Sequence, residues 1–70
     1  MKKLYSTDYV IYDRKNDAIF RFIDIDEYVI YGSLEEANLD LDKNEDEEVI
    51  SCTSLPSHWQ DILIKQINKK

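Results

Sequence analysis

Residues 4–31 read LYSTDYVIYDRKNDAIFRFIDIDEYVIY, and the alternation of apolar and polar runs in this segment indicates a sheet. Runs rich in Tyr, Val, Ile and Phe occupy residues 4–12, 18–24 and 28–31. β-Branched and aromatic residues are typical of strands. The polar runs DRKND and DIDE between them contain the Asn and Asp that favour turns. We therefore predict three strands in an antiparallel meander.

A change of rhythm after Gly32 predicts the first helix. Ser33 is followed three residues later by Glu36, which is the spacing of a capping box. Apolar residues then recur at near-helical spacing, so we predict a short helix over residues 34–42. A loop over 42–46 and a strand over 48–53 complete this part of the chain.

The C-terminal segment has the clearest helical pattern. Pro56 suits a first helical turn, and Ser57 with Gln60 offers a second capping box. One apolar stripe follows from the spacing of four residues, Trp59, Ile62, Leu63 and Ile67. We predict an α+β fold of a single domain over residues 1–70, in which a small antiparallel sheet of order ββ(β)αβα carries two helices packed on one face.

The negative charge of the chain is local. The net charge is −6, yet residues 33–48 alone carry −7, from eight acids and one base, Lys43. We call these eight residues the acidic patch: Glu35, Glu36, Asp40, Asp42, Glu45, Asp46, Glu47 and Glu48. Direct binding to nucleic acid requires a basic surface, so this distribution argues against it.

Composition also limits the compartment. Cys52 is the only cysteine, so no internal disulfide is possible, which fits a reducing environment. The longest apolar runs are three or four residues, far short of a membrane span. The N-terminal residues MKKLYSTD lack the apolar core of a signal peptide. We expect a cytoplasmic protein with no membrane partner.

The acidic run DLDKNEDEE at residues 40–48 opens like a calcium-binding EF-hand loop. Asp40, Asp42 and Asn44 fill the first three ligand positions. The glycine of position six is replaced by Glu45, and the bidentate glutamate of position twelve by Ser51. We therefore predict no specific metal site.

Catalytic signatures are missing from the sequence. His58 has no second histidine or cysteine at metal-binding spacing. Ser51, Cys52 and Thr53 lie near it in sequence, but no glycine-rich elbow or oxyanion loop accompanies them. With one glycine in the chain, a phosphate-cradling loop is excluded as well. We predict that the protein is not an enzyme and uses no cofactor.

Tyrosines offer a second candidate surface. All five lie on predicted strands: Tyr5, Tyr9, Tyr12, Tyr28 and Tyr31. Helices on one face of the sheet would leave the other face to solvent or to a partner, and tyrosine is enriched at interfaces. Strand alternation places some of them in the core instead. Ile64, which lies off the apolar stripe, is a further candidate contact residue.

Three segments, DYVIYDRKNDAIFRF, YGSLEEA and LPSHWQDILIKQI, give the chain its family resemblance. Together they resemble short acidic proteins of double-stranded DNA bacteriophages. That resemblance implies a protein that binds and modulates a host or rival machine, located in the host-cell cytoplasm. It assigns no role to any residue.

Several functions fit these features. The first is a non-enzymatic module that binds a protein partner and inhibits or modulates it through the acidic patch, the tyrosine-bearing sheet face or both. The second is a nucleic-acid mimic that blocks the basic groove of a DNA- or RNA-handling protein. The third is a structural or self-assembling subunit, which would bury the sheet face or Ile64 in a homo-oligomer.

Overall fold

In the computed structural model, residues 2–21, 24, 27–41 and 47–69 are described. The elements are strands β1 (Tyr9–Asp13), β2 (Ala18–Ile19) and β3 (Glu47–Ser51), helices α1 (Leu34–Asp40) and α2 (Ser57–Ile67), and a short 3-10 helix (Cys52–Ser54). This is a small α+β fold, as predicted from the sequence. Within the described residues, no helix is long and apolar enough to cross a membrane.

β1 is the centre of an antiparallel sheet of order β2-β1-β3. Its apolar residues Val10 and Ile11 lie opposite Ile50 and Val49 of β3. The hairpin to β2 turns where the sequence predicted it, because the Asp13 carboxylate accepts hydrogen bonds from the backbone and side chain of Asn16 at 3.1 and 2.7 Å.

The predicted strand over 28–31 is reduced to isolated bridges, Tyr9 with Tyr31 and Arg21 with Tyr28. The reason lies in α2. The side-chain amide of Gln66 accepts a hydrogen bond from the Tyr28 N–H at 2.8 Å and donates one to the Tyr28 carbonyl at 2.9 Å. A side chain thus satisfies backbone groups that a strand partner would otherwise take.

Three further strand boundaries differ from the prediction. The strand predicted over 18–24 is β2, which ends at Ile19, and residues 22 and 23 lie outside the described residues. Residues 4–8 lie outside β1, and residues 5–8 form a turn in which the Asp8 carboxylate accepts a hydrogen bond from the Tyr5 N–H at 2.9 Å. The strand predicted over 48–53 is β3, but it ends at Ser51. There the Ser51 hydroxyl accepts from the Thr53 N–H at 3.3 Å and starts the 3-10 helix.

The helices pack on opposite faces of the sheet, not on one face as the sequence suggested. Val10 and Tyr12 point from β1 to a cluster that contains Trp59 and Leu63 of α2. Between them on the strand, Ile11 points the other way, to a cluster with Ala37 of α1. Side chains alternate between the two faces of β1, and both faces are apolar, so each face is buried by packing against a helix.

Of the two predicted capping boxes, only the first has its serine cap. Ser33 is the N-cap of α1, and its hydroxyl accepts from the Glu36 N–H at 3.2 Å. At α2 the N-cap is Pro56, which has no side-chain cap. Gln60 instead donates to the carbonyls of Leu55 and Thr53, at 2.8 and 3.3 Å, and so ties the preceding turn to the helix.

Replacement of Ser33 by alanine is expected to lower the free energy of unfolding by about 1 kcal/mol, because it removes a side-chain cap. Ser57→Ala is the matched control and should change it by less than about 0.5 kcal/mol, because Ser57 caps nothing. Urea titrations followed by circular dichroism measure both. Equal losses in the two variants would contradict the assigned caps.

Candidate functional site

The described part of the acidic patch lies on two elements. Glu35, Glu36 and Asp40 are exposed on α1, whereas Glu47 and Glu48 are half-buried on β3. The remaining members of the patch, Asp42, Glu45 and Asp46, lie outside the described residues. α1 packs against β1 and β3, so the helix and the strand that carry these carboxylates are neighbours.

Two carboxylates of the patch have partners. Glu48 accepts hydrogen bonds from Arg14 at both Nε and Nη2, which raises the pKa of the guanidinium. Asp40 accepts a hydrogen bond from the Tyr31 hydroxyl at 2.9 Å. Burial, together with this bond to Asp40, raises the pKa of Tyr31 to about 12. Among described residues, the carboxylates of Glu35, Glu36 and Glu47 have no ion-pair partner.

The EF-hand pattern gains no support from the described residues. Its first ligand position, Asp40, is bonded to Tyr31, and Asp42 and Asn44 lie outside the described residues. No group of three or more metal-ligating side chains occurs in the part of the chain that the structure describes.

The structure does not bring the five tyrosines together on one open face. Tyr12 is buried in the cluster beneath α2, and Tyr31 is buried on the α1 side. Tyr9 and Tyr28 are half-buried, and only Tyr5 is mainly exposed, at 56%. Because a helix covers each face of the sheet, the solvent-exposed tyrosine face that the sequence predicted is not present among the described residues.

The apolar stripe of α2 is narrower than predicted. Trp59 and Leu63 are buried, but Ile62 is 39% exposed and Ile67 is half-buried. Ile64, the candidate contact residue for an oligomer, is half-buried too.

One cluster of polar contacts was not predicted from the sequence. The Asp17 carboxylate accepts hydrogen bonds from the Tyr12 hydroxyl at 2.6 Å, from Trp59 Nε1 at 2.9 Å and, at 3.0 Å, lies against His58 Nε2. The bonds from Tyr12 and Trp59 hold the pKa of Asp17 below its ordinary value. We call these four residues the Asp17 cluster; it joins the β1–β2 hairpin to the first turn of α2.

The thiol of Cys52 is not part of the Asp17 cluster. Cys52 is fully buried, and burial raises the pKa of its thiol to about 12, so the thiol stays protonated at neutral pH. His58 faces Asp17 rather than Cys52. The contacts of Asp17 with His58 and Trp59 tie the β1–β2 hairpin to the first turn of α2.

A groove of about 490 Å³ lies beside the exposed face of α2. Its lining combines cationic, polar and apolar side chains: Arg21, Glu27, Tyr28, Ile62, Lys65, Gln66 and Lys69. The Gln66 amide is already bonded to Tyr28 on both of its polar atoms. Glu27 places a carboxylate among the cations, so the lining does not converge on one anionic ligand.

No family model matches the chain, and no curated protein or solved structure is significantly similar to it. Among the described residues, α1 and β3 together carry five carboxylates of the acidic patch.

Proposed function

We propose that the protein is a non-enzymatic binding module that inhibits or modulates a protein partner through the acidic patch. The observation that supports this most directly is the exposure of Glu35 and Glu36 on α1 without a cationic partner among the described residues. Uncompensated carboxylates attract a basic surface, accelerate its association and make binding sensitive to salt.

A narrower form of the same proposal is nucleic-acid mimicry. The carboxylates are distributed over a helix and the neighbouring edge strand, which gives several negative charges on a folded scaffold. Such an array can occupy a groove that normally binds phosphates. The partner would then be a DNA- or RNA-handling protein.

The third hypothesis, a self-assembling subunit, now depends on other residues than the sheet face. Leu39 of α1 is 84% exposed and Tyr5 is 56% exposed. A homo-oligomer built on them would show a mass that rises with concentration in light scattering. A concentration-independent monomer excludes this class.

The test is a pull-down from lysate of the source cells with the tagged protein, eluted in rising salt. Glu35→Gln/Glu36→Gln/Glu47→Gln removes three charges from the patch. Asp24→Asn/Glu27→Gln/Asp61→Asn is the matched control, because it removes three charges from exposed positions outside the patch. We expect the patch variant to retain at least about ten-fold less partner than the control.

Both outcomes of this comparison are informative. Elution of the partner at moderate salt from the control, with little retained by the patch variant, supports binding through the patch. Equal retention by the two variants would contradict the proposal, because the patch would then contribute no more to binding than charges elsewhere on the surface.

A further inference from the structure

The outer edge of β3 exposes a row of backbone hydrogen-bonding groups. The Cys52 N–H donates to the Asp8 carbonyl at 2.8 Å, in register with the β1–β3 ladder. In an antiparallel pair, hydrogen-bonded positions alternate. Ile50 and Glu48 therefore bond to β1, and the N–H and C=O groups of Val49 point away from the sheet.

The other side of β1 confirms this alternation. The N–H and C=O groups of Tyr9 bond to Tyr31 at 2.8 and 2.7 Å, and the Ile11 carbonyl accepts from Phe20 at 2.9 Å. Odd-numbered residues of β1 thus bond away from β3, and even-numbered ones bond toward it. Glu47 lies two residues before Val49 on β3, so its backbone N–H and C=O groups also point away from the sheet.

The two lateral edges of the fold differ in how they are covered. On the β2 side, the side-chain amide of Gln66 forms hydrogen bonds with the backbone N–H and C=O groups of Tyr28. On the β3 side, no described residue outside the β1–β3 ladder forms a backbone hydrogen bond with Glu47 or Val49. Ser51, at the end of this edge, forms a hydrogen bond through its side chain: its hydroxyl donates to the Ser6 carbonyl at 3.0 Å.

We propose that an extended, basic segment of the partner protein pairs with this edge and adds a fourth strand to the sheet; this rests on the proposed function. Unpaired edge strands bind extended peptides through main-chain hydrogen bonds. The carboxylate of Glu47, which has no ion-pair partner among the described residues, selects the occupant, whereas Glu48 is already paired with Arg14. Glu47 disfavours a second copy of β3, whose own Glu47 would share the edge, and favours lysine or arginine on the added strand.

The test compares two synthetic peptides by calorimetry with the full chain. Both are short and alternate lysine with valine, and one of them is N-methylated at every backbone amide, so that it keeps the side-chain charge but loses the backbone donors on both edges. We expect the unmethylated peptide to bind at least about ten-fold more tightly.

The other outcomes separate this inference from the proposed function. Equal binding of the two peptides would overturn strand pairing while leaving binding through the patch intact. Binding of neither peptide would overturn strand pairing, whereas the proposed function is decided separately by the pull-down comparison of the patch variant with its control.

Hydrogen exchange and one pair of variants locate the contact. On binding of the unmethylated peptide, exchange of the Val49 amide should slow, whereas the Ile50 amide is already protected by β1. Glu47→Pro removes charge and outward N–H, and Glu47→Gln removes charge alone; proline is tolerated at the first residue of an edge strand. Equal affinities of the two variants, or an unchanged Val49 exchange rate, would overturn the proposal.

Discussion

Replacement of Leu63 by alanine is expected to lower the free energy of unfolding by about 3 kcal/mol. Leu63 has no exposed surface and lies at the centre of the cluster between the sheet and α2. Truncation of a buried leucine loses its transfer free energy and leaves a cavity, which together cost about 2–5 kcal/mol. A chain of this length has a total stability of roughly 4–10 kcal/mol, so the variant should be close to unfolding.

The matched control is the neighbouring residue of the same helix. Ile62 is 39% exposed, and Ile62→Ala should cost less than about 1 kcal/mol while the change in helix propensity is similar. Urea unfolding followed by tryptophan fluorescence and by circular dichroism measures both variants. Similar losses at the two positions would mean that α2 does not pack as the structure shows.

Most elements could be predicted because their signals are local. The apolar run of β1, the Asn and Asp of its hairpin, the Ser33 cap and the helical period of α2 each lie within a few residues. Their boundaries were less accurate where a side chain takes over from the backbone. The Asp8 carboxylate closes a turn before β1, and the Ser51 hydroxyl ends β3.

Long-range contacts could not be predicted. Gln66 bonds to Tyr28, and Asn68 bonds to Lys2 through two hydrogen bonds of 2.8 and 2.9 Å. Nothing within either segment indicates its partner. The placement of the helices on both faces likewise depends on which apolar residues of β1 each helix meets, and strand alternation permits one face or both.

The candidate site divides in the same way. The acidic patch was visible because exposed charge is read directly from the sequence. The Asp17 cluster was not, because it joins residues that are 41 and 42 positions apart. One signal is the backbone of Asp17, whose φ of 51° lies in the left-handed region that Asp and Asn tolerate. An Asp at the end of a turn permits this conformation, but it does not indicate that Tyr12 and Trp59 donate hydrogen bonds to its carboxylate.

Replacement of Trp59 by alanine is expected to lower the free energy of unfolding by about 3–5 kcal/mol, because the ring is buried between α2 and the sheet. The ring also packs edge-on against Tyr28, with centroids 5.2 Å apart. Trp59→Phe keeps an aromatic ring but removes the Nε1 donor. The free energy of unfolding should therefore fall less than in Trp59→Ala, and part of that fall comes from the lost hydrogen bond to Asp17. Urea midpoints at neutral pH measure both.

The pH dependence separates the hydrogen bond from the ring. The pKa of Asp17 is lowered in the folded protein, so its charged form contributes stability above the ordinary carboxyl value of 3.8. This contribution is lost as the pH falls through the lower folded pKa. The difference between the wild type and Trp59→Phe should therefore narrow in acid, because protonated Asp17 is a weaker acceptor.

Leu63→Ala provides the control for this pH series. The titratable groups of its cluster, Tyr12 and Cys52, both have raised pKa values and stay protonated from neutral pH to acid, so the loss should stay nearly constant. Asp17→Asn, which tolerates the left-handed backbone, should remove the pH dependence of the Trp59→Phe difference. If that difference remains constant from neutral pH to acid in the wild-type background, the carboxylate does not hold the indole. The hairpin would then be fixed to α2 by apolar packing alone.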